Sequence, residues 1–369
     1  MIKNVDTAAK PLVLAYFLPQ FHEIPENNLW WGQGFTEWTN LRVSKEFISG
    51  QSIRKPSGPF NEYNLLEAEV LIWHQQIAEA YGIDGFFVWD YWFGEGKKLL
   101  EKPIEKVLRE NIHFRYCFNW ANHSWYNKSK GLLLIEQKYL GEEDYKSYFR
   151  WLLPHFKSEN YIKIDGKPIF GIFRPDDIPD FSTFLRVFNQ MAQENGFPGI
   201  FWIGENTSPT SPEAVNLDRV INSGGFFSLR RRIRSSPFET VRYHLIKNYG
   251  MNKLGPSIFK YPSLVLGNSR NMFSNPRSIP CVLAGWDTTP RHGKRGMILK
   301  GFSRDAFRAH VKEVFSALDY QTTEHKIIVI KSWNEWAEGN LLEPDSVFGT
   351  GLLEIFRDAL KDYVAKEMR

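Results

Sequence analysis

The sequence has few of the residues that stabilise a fold through disulfide bonds or bound metal ions. Only two cysteines occur among 369 residues, Cys117 and Cys281, and both lie inside apolar, strand-like runs. No cysteine or histidine stands at the spacing of metal ligands, so the sequence predicts reduced core thiols, no disulfide framework, no metal and no cofactor. A hydrophobic core must therefore hold the fold, and a chain of this length can bury a large one.

Long apolar runs and strong net charge are also absent. No apolar stretch approaches the roughly 18 residues of a membrane span, and residues 1–10 lack the charged, apolar and small-residue segments of a secretory signal. The sequence therefore predicts a cytoplasmic protein without a membrane span. A net charge of +4 and a pI near 8.8 are too mild to demand nucleic acid, and no nucleic-acid motif accompanies them.

Strand-like runs alternate with amphipathic helical stretches along the whole chain. This alternation predicts a parallel α/β architecture. Because no glycine-rich phosphate loop follows the first strand, a (β/α)8 TIM-like barrel with long loops on its C-terminal face is favoured over an open sheet. The predicted strands cover residues 12–17, 85–89, 115–120, 168–173, 199–204, 219–222, 280–284 and 326–332, and the predicted helices cover residues 65–81, 101–111, 142–156, 182–195, 304–318 and 352–367.

Two connections are long, residues 23–64 and residues 224–278. No repeat, low-complexity tract or linker marks a second domain, so residues 1–369 are predicted to form one catalytic barrel with residues 224–278 as a loop excursion. Long loops on a barrel usually shape its cleft. The second connection contains the basic run RRRIR at residues 230–234, which suits either a solvated face or weak peripheral contact with a lipid carrier or membrane surface.

The most informative segment is IIVIKSWNEWAEG at residues 327–339. Its β-branched run predicts a buried parallel strand, and the acidic and aromatic cluster that follows occupies the position where barrels keep their chemistry. Glu335 and Glu338 are the candidate catalytic residues, because cleavage of an acetal needs an acid and a base. A lone Glu-x-x-Glu is more often a helix start, and the tryptophans around this one favour the catalytic interpretation.

Polar and aromatic residues also follow most of the other predicted strands. The carboxyl ends of barrel strands meet on one face, so we expect these residues to line one substrate cleft. Each residue taken alone is more often a packing, capping or turn residue. The predicted substrate-binding residues are His22, Trp31, Glu37, Trp38, Asp90, Tyr91, Trp92, Asn119, Trp120, Asn122, His123, Trp125, Arg174, Glu205, Trp286, Asp287, Arg291, Trp333, Asn334 and Trp336.

The segment at residues 285–293, GWDTTPRHG, has two interpretations. In the first it is a turn in which Arg291 pairs with Asp287. In the second Trp286 is a stacking platform, and the polar residues around it bind hydroxyls or an anionic substituent. The second interpretation is favoured.

Eight blocks of the sequence together resemble the WbsX family, proteins tied to lipopolysaccharide and O-antigen synthesis and also described as glycoside hydrolase family 99-like. The blocks occur in the family's order across nearly the whole chain. They are YFLPQFH (16–22), WGQGFTEWTN (31–40), YGIDGF (81–86), YWF (91–93), NWAN (119–122), DGKP (165–168), WDTTPR (286–291) and WNEWAEG (333–339).

The resemblance implies a (β/α)8 barrel without a metal and a retaining reaction carried by two glutamates, as in the related endo-α-mannosidases. Glu338 would then protonate the leaving oxygen, and Glu335 would draw the proton from the sugar 2-hydroxyl to give a 1,2-anhydro sugar. For these two roles, the surroundings must raise the pKa of Glu338 and leave Glu335 ionised. Asp90 and His123 depart from the family's usual His and Glu, so mannose is not carried over as the substrate.

The sequence thus predicts a carbohydrate-active enzyme that makes or breaks a glycosidic bond of a bacterial surface polysaccharide. Its expected partner is an oligosaccharide or polysaccharide, free or lipid-linked, and not nucleic acid. Hydrolysis and transfer to a sugar acceptor both stay open, because water and a sugar hydroxyl attack the same activated centre. A glycosyltransferase that performs no hydrolysis and a non-catalytic glycan-binding barrel are the alternatives.

Overall fold

The fold is a closed ring of parallel strands, seen in a computed structural model that describes residues 10–127, 130–208, 211–221, 224–267, 275–321 and 323–369. Neighbouring strands around the ring pair in parallel, in chain order. The strands are β1 (Leu12–Phe17), β2 (Gly85–Asp90), β3 (Tyr116–Trp120), β4 (Lys167–Ile172), β5 (Phe201–Glu205), β6 (Arg219–Ile221), β7 (Ser278–Ile279 and Cys281–Val282) and β8 (Ile327–Ile330).

The seventh strand closes the barrel in two halves, because Pro280 interrupts it. The first half pairs with β6 and the second half pairs with β8, both in parallel. Proline has no N–H to give to the ladder, yet its carbonyl still accepts the N–H of Val329 at 3.1 Å. The predicted (β/α)8 barrel is confirmed, and each predicted strand lies within a few residues of an observed one. Asn222, at the end of the sixth predicted strand, lies outside the described residues.

Helices cover the outside of the barrel and fill the long connections. The six predicted helices are confirmed within a few residues as α3, α4, α5, α6, α11 and α12, while the other helices have no counterpart in the prediction. No described helix is both long enough and apolar enough to cross a bilayer. The helices are α1 (Pro25–Trp31), α2 (Glu37–Arg42), α3 (Ala68–Ala80), α4 (Lys102–Glu110), α5 (Glu142–Lys157), α6 (Phe181–Glu194), α7 (Leu229–Ser235), α8 (Pro237–Tyr249), α9 (Tyr261–Val265), α10 (Thr289–His292), α11 (Arg304–Ala317) and α12 (Gly351–Glu367).

Short strands outside the barrel extend it at both of its ends. They are Trp125–Asn127 antiparallel to Leu132–Ile135, Lys163–Ile164 antiparallel to the start of β4, Ser257–Lys260 parallel to Met297–Lys300, and Asn334–Glu335 antiparallel to Asn340–Leu341. The last pair turns the chain back directly after β8. The predicted loop excursion at residues 224–278 is therefore largely structured, with α7, α8, α9 and one strand in its described part.

The interior of the barrel is filled by aromatic rings from neighbouring strands. Tyr16 of β1 stacks on Phe87 and Trp89 of β2, with ring centroids 5.0 and 4.6 Å apart. Room for this layer depends on Gly171 of β4, where a Cβ atom would lie 2.2 Å from the ring of Phe87 and 2.3 Å from Oδ1 of Asn119. The interior is thus a packed core that ends, toward the C-terminal face, in polar side chains.

Arg54 fastens the long connection after β1 to the barrel rim. Its guanidinium is 7% exposed and donates to the carboxylate of Asp345 at 2.7 and 3.0 Å. It also donates to the carbonyls of Ala284 and Leu341, each at 2.9 Å. These contacts bring the chain after β1, the chain after β7 and the chain after β8 together at one point.

We predict that Arg54→Ala lowers the free energy of unfolding by ~3–5 kcal/mol, because it leaves the Asp345 carboxylate buried without its cation. Denaturant unfolding followed by tryptophan fluorescence measures the change. The control is Arg42→Ala, which removes an exposed pair with Glu62 and should cost about 1 kcal/mol at most. Equal losses in the two variants would contradict an anchoring role for Arg54.

Candidate active site

The chain that leaves β8 is fixed by backbone hydrogen bonds before it reaches the two glutamates. The side-chain amide of Asn334 accepts the N–H of Leu18 at 2.8 Å and donates to its carbonyl at 3.1 Å, which ties this segment to the end of β1. Oγ of Ser332 accepts the N–H of Glu335 at 2.9 Å. The backbone that carries the two glutamates is therefore fixed to the ends of both β1 and β8.

A tight turn follows, in which Trp336–Glu338 form one turn of 3₁₀ helix. Gly339 ends this turn with φ of +55°, and a Cβ atom there would lie 2.9 Å from Cβ of Asp287. Only glycine fits such a close approach in the left-handed region without strain. The turn consequently packs against the chain after β7, whose Asp287 N–H donates to the Glu338 carbonyl at 2.7 Å.

Glu338 carries an ion pair and a second hydrogen bond. Nη1 of Arg291 donates to its Oε1 at 2.5 Å, and Nε1 of Trp286 donates to its Oε2 at 3.1 Å. The same guanidinium donates through Nη2 to Oε1 of buried Glu37 at 2.5 Å. Glu37 also accepts the N–H of Ala337 at 3.3 Å. Arg291 thus joins two carboxylates instead of pairing with Asp287. The other half of that interpretation is confirmed, because the Asp287 carboxylate accepts the N–H of Thr289 at 2.9 Å and closes the turn.

Glu335 stands in different surroundings. Its carboxyl is half-buried, and no described residue makes a hydrogen bond to it. Burial and, after it, the negative charge of Glu338 raise its pKa to about 8, against the opposing effects of Arg291 and Lys331. These surroundings favour the protonated form of Glu335 at neutral pH. The family resemblance implies a raised pKa for Glu338 and an ionised Glu335. The surroundings raise the pKa of Glu335 instead.

A charged pair forms the floor of the cleft, and its contacts reach across the barrel. Nζ of Lys331 donates to Oε1 of Glu205 at 2.6 Å, and the hydroxyl of Tyr16 donates to Oε2 at 2.6 Å. Nδ2 of Asn119 donates to the Tyr16 hydroxyl at 3.4 Å. Strands β1, β3, β5 and β8 meet here, so Asn119 and Glu205 lie inside the barrel. Lys331 is absent from the predicted site, although a lone lysine ending a buried strand is the signal that marks it.

Aromatic and imidazole groups form one wall of the cleft. Burial and, after it, the charge of Glu335 raise the pKa of Tyr91, which places this hydroxyl near the catalytic pair in a protonated state. The ring of Trp125 packs edge-on against Tyr91 with centroids 5.1 Å apart, and His123 packs on Phe173 at 5.4 Å. Burial lowers the pKa of His22 to about 4, so this imidazole is neutral.

Four of the predicted substrate-binding residues face the helices instead of the cleft. Asp90 accepts a hydrogen bond from the Tyr148 hydroxyl, and Trp92 stacks on the Tyr148 ring at 4.7 Å. Trp120 donates to the Trp92 carbonyl at 2.9 Å, and Trp333 donates to Nδ1 of His74 on α3 at 3.0 Å. Side chains alternate between the two sides of a strand, which turns Asp90 of β2 and Trp120 of β3 outward. Trp92 and Trp333 lie just past the ends of β2 and β8 and pack on Tyr148 and His74. All four side chains are thus engaged by protein, and substrate contact by them stays a prediction.

Five further predicted residues hold the frame of the site. Trp38 donates to the Tyr63 carbonyl, Asn122 clasps the N–H and carbonyl of Arg174, Asn334 holds Leu18, Trp336 donates to Glu343, and Asp287 accepts from Gln51 and Thr289. Their polar atoms are occupied by protein, so we correct their predicted role to positioning. Trp31, 42% exposed, and Arg174, paired with Asp177, lie at the surface, where substrate contact stays a prediction.

The comparisons with known proteins agree with this architecture. The family model described as Glycosyltransferase WbsX matches residues 13–356, nearly the whole chain. The chain belongs to the WbsX family. This membership confirms the resemblance found in the sequence.

Two curated relatives of this WbsX chain come from two strains of one species. An uncharacterized protein WxcX from Xanthomonas campestris pv. campestris strain B100 is 28% identical over 355 residues, which are 94% of this chain and 49% of that protein. The WxcX protein of a second strain is also 28% identical over 355 residues. The chain thus spans about half the length of the curated relatives it matches.

Solved structures share the fold of the WbsX chain. A glycoside hydrolase-like protein superposes with a TM-score of 0.56 at 14% identity, covering 98% of this chain and 96% of its own. The GH99 endo-α-mannosidase of Bacteroides thetaiotaomicron, solved with bis-tris-propane, also gives 0.56 at 14% identity, covering 96% and 97%. Identities this low establish the common barrel alone.

A second buried carboxyl lies beneath the catalytic turn of the WbsX chain. Glu343 is 1% exposed, and its Oε2 accepts the hydroxyl of Tyr63 at 2.9 Å and Nε1 of Trp336 at 3.1 Å. Burial raises its pKa to about 8, against the opposing effect of these two donors. The indole of Trp336, between Glu335 and Glu338 in sequence, is therefore held by a carboxyl whose protonated form burial favours.

We predict that Glu343 makes folding stability fall as pH rises. Its folded pKa of about 8 lies above the ordinary value of 4.5, so its contribution is complete below about pH 4.5 and is lost progressively up to about pH 8. The variant Glu343→Gln keeps an acceptor for both donors and removes the titration. Relative to wild type it should gain roughly 1–4 kcal/mol between these pH values. Denaturant unfolding at several pH values measures the difference, with Glu354→Gln, an exposed glutamate, as control. A difference that does not change with pH contradicts the assignment.

Proposed function

We propose that this WbsX protein makes or breaks a glycosidic bond of a bacterial surface polysaccharide of the lipopolysaccharide or O-antigen type, with retention, through Glu335 and Glu338. The observation that carries this proposal is the unequal state of two carboxyls in one barrel cleft. Glu335 holds a proton at neutral pH, whereas Glu338 is ion-paired with Arg291. Cleavage of an acetal needs one carboxyl that can donate a proton and one that is ionised.

The surroundings support Glu335 as the acid and Glu338 as the carboxylate. A proton donor to the glycosidic oxygen must keep its proton near neutral pH, as burial makes Glu335 do. A carboxylate that faces the anomeric carbon must stay charged, and Arg291 together with the Trp286 N–H stabilises that charge. Glu338 would then either attack the anomeric carbon or take the proton of the sugar 2-hydroxyl.

The acceptor decides whether the reaction is hydrolysis or transfer. Water and a sugar hydroxyl attack the same activated centre, and the family's description as a glycosyltransferase favours transfer. We therefore propose a saccharide acceptor as the second candidate, with the donor glycan carried on a lipid. The Tyr91 and Trp286 side chains beside the glutamates are the groups we expect to contact the two sugars flanking the reacting bond.

We predict that Glu335→Gln and Glu338→Gln each lower turnover by about 10²-fold or more while glycan binding is largely retained. Proton NMR of a reaction with an oligosaccharide library, with and without sugar acceptors, measures both the rate and the anomer formed first. Glu354→Gln is the matched control. Retained turnover in either active-site variant contradicts the proposal. Binding by the wild type with no product from any glycan supports a glycan-binding barrel instead.

The dependence of the rate on pH separates the two assignments of the acid. If Glu335 is the acid, the rate should fall about tenfold per pH unit above about pH 8, because the proton is then lost. The opposite assignment requires Glu335 ionised and makes the rate rise through the same range. A substrate with a good leaving group gives a second measurement, since it should restore turnover only in the variant that lacks the acid.

A further inference from the structure

The chain between β6 and β7 carries a concentrated positive charge. Residues 224–267, here called the basic excursion, contain eight lysines and arginines and one acidic residue, Glu239, for a net charge of +7. The whole chain has a net charge of +4, so the remaining residues sum to −3. Glu239 is itself 12% exposed and bonded to Arg242 at 3.2 Å and the Ile258 N–H at 2.8 Å. Arg231 is buried, whereas the exposed charges of the excursion are all positive: Arg230, Arg234, Lys247, Lys253 and Lys260.

Large apolar side chains lie on the same surface. On α8, Phe238 is 73%, Val241 60% and Tyr249 70% exposed; on α7, Leu229 is 59% and Ile233 45% exposed. Their spacing places them along one face of each helix. An amphipathic helix of a globular protein normally turns such a face toward the core, whereas α8 turns its apolar face to solvent.

A groove between α7 and α8 adds depth to this surface. Its volume is ≈490 Å³, and it is lined by Leu229, Ile233 and Val241, with Arg232, His244 and Lys247 at its edge. The guanidinium of Arg232 lies over the ring of Tyr243 at 4.7 Å. Apolar groups surrounded by cations match the two parts of an anionic phospholipid, its acyl region and its headgroup.

The basic excursion also adjoins the cleft. Phe227, just before α7, packs edge-on against Trp286 with ring centroids 4.9 Å apart, and Trp286 donates to Glu338. At its other end, Ser257–Lys260 pairs with Met297–Lys300, where the N–H of Leu299 donates to the Trp286 carbonyl at 2.8 Å. Trp286 thus contacts Phe227 of the basic excursion, the strand that pairs with its other end, and Glu338.

We propose that α7 and α8 dock this protein on the surface of an anionic lipid bilayer. The basic side chains attract the charged headgroups, and the exposed apolar side chains enter the boundary between headgroups and acyl chains. Nucleic acid offers no apolar layer that would cover Phe238 and Val241, which favours the bilayer. Docking itself does not depend on the reaction; only its consequence, that a lipid-carried glycan is presented to the cleft, rests on the proposed function.

The test is co-sedimentation of the full chain with phosphatidylcholine vesicles and with vesicles that also contain phosphatidylglycerol. The wild type should bind the anionic vesicles and lose that binding as salt is raised. The double variant Arg230→Gln with Arg234→Gln and the double variant Phe238→Ser with Val241→Ser should each lower the partition coefficient by roughly tenfold or more. Matched controls elsewhere on the surface, Lys361→Gln and Val43→Ser, should bind as the wild type does.

Three results would overturn the proposal. They are no binding to anionic vesicles, equal binding to neutral and anionic vesicles at every salt concentration, and patch variants that bind as the wild type does. Sedimentation velocity without lipid adds a fourth, since a dimer that the Phe238→Ser and Val241→Ser variant abolishes makes this face an interface between copies. Turnover of a short soluble glycan should be unchanged in the patch variants, so failure of docking and failure of the proposed reaction are distinguishable.

Discussion

The cleft depends on the guanidinium of Arg291, which lies between the carboxylates of Glu37 and Glu338. These three residues come from the chains after β1, β7 and β8, and the two contacts join positions 254 and 47 residues apart in sequence. Three carboxyls lie close together here, and their mutual repulsion would oppose burial without a cation. The guanidinium pairs with two of them, Glu37 and Glu338, whereas burial and the charge of Glu338 raise the pKa of Glu335. One cation therefore holds together the chains that shape the cleft.

Carboxyls with a raised pKa occur both near this cation and on the outer side of the barrel. Burial raises the pKa of Glu335 and Glu343 to about 8 and that of Asp90 to about 7. Glu343 orders the indole of Trp336 from below, and Asp90 fixes the outer face of β2 against α5. At the floor of the barrel, by contrast, Glu205 is compensated by Lys331.

The two long connections add side chains and surfaces that the barrel strands do not supply. The first connection contributes Glu37 to the cleft and Arg54 to its rim, and the second contributes the basic excursion. Both act on the same segment, because Gln51 donates to Asp287 at 2.6 Å while Phe227 packs on the neighbouring Trp286. Both long connections therefore contact the chain after β7.

The sequence by itself determined the strands, the six main helices, the family and the segment that holds Glu335 and Glu338, because periodicity and short motifs are local properties of the chain. Tertiary structure decided which strand-end residues face inward: Trp120 and Trp333 look as suitable as Asn119 until the pairing of the strands fixes their side. It also decided the partners of Lys331, Glu343 and Arg54, which lie 126, 280 and 291 residues away. The raised pKa of Glu335 also depends on tertiary structure, since its burial and its distance to a neighbouring charge are set only once the barrel has closed.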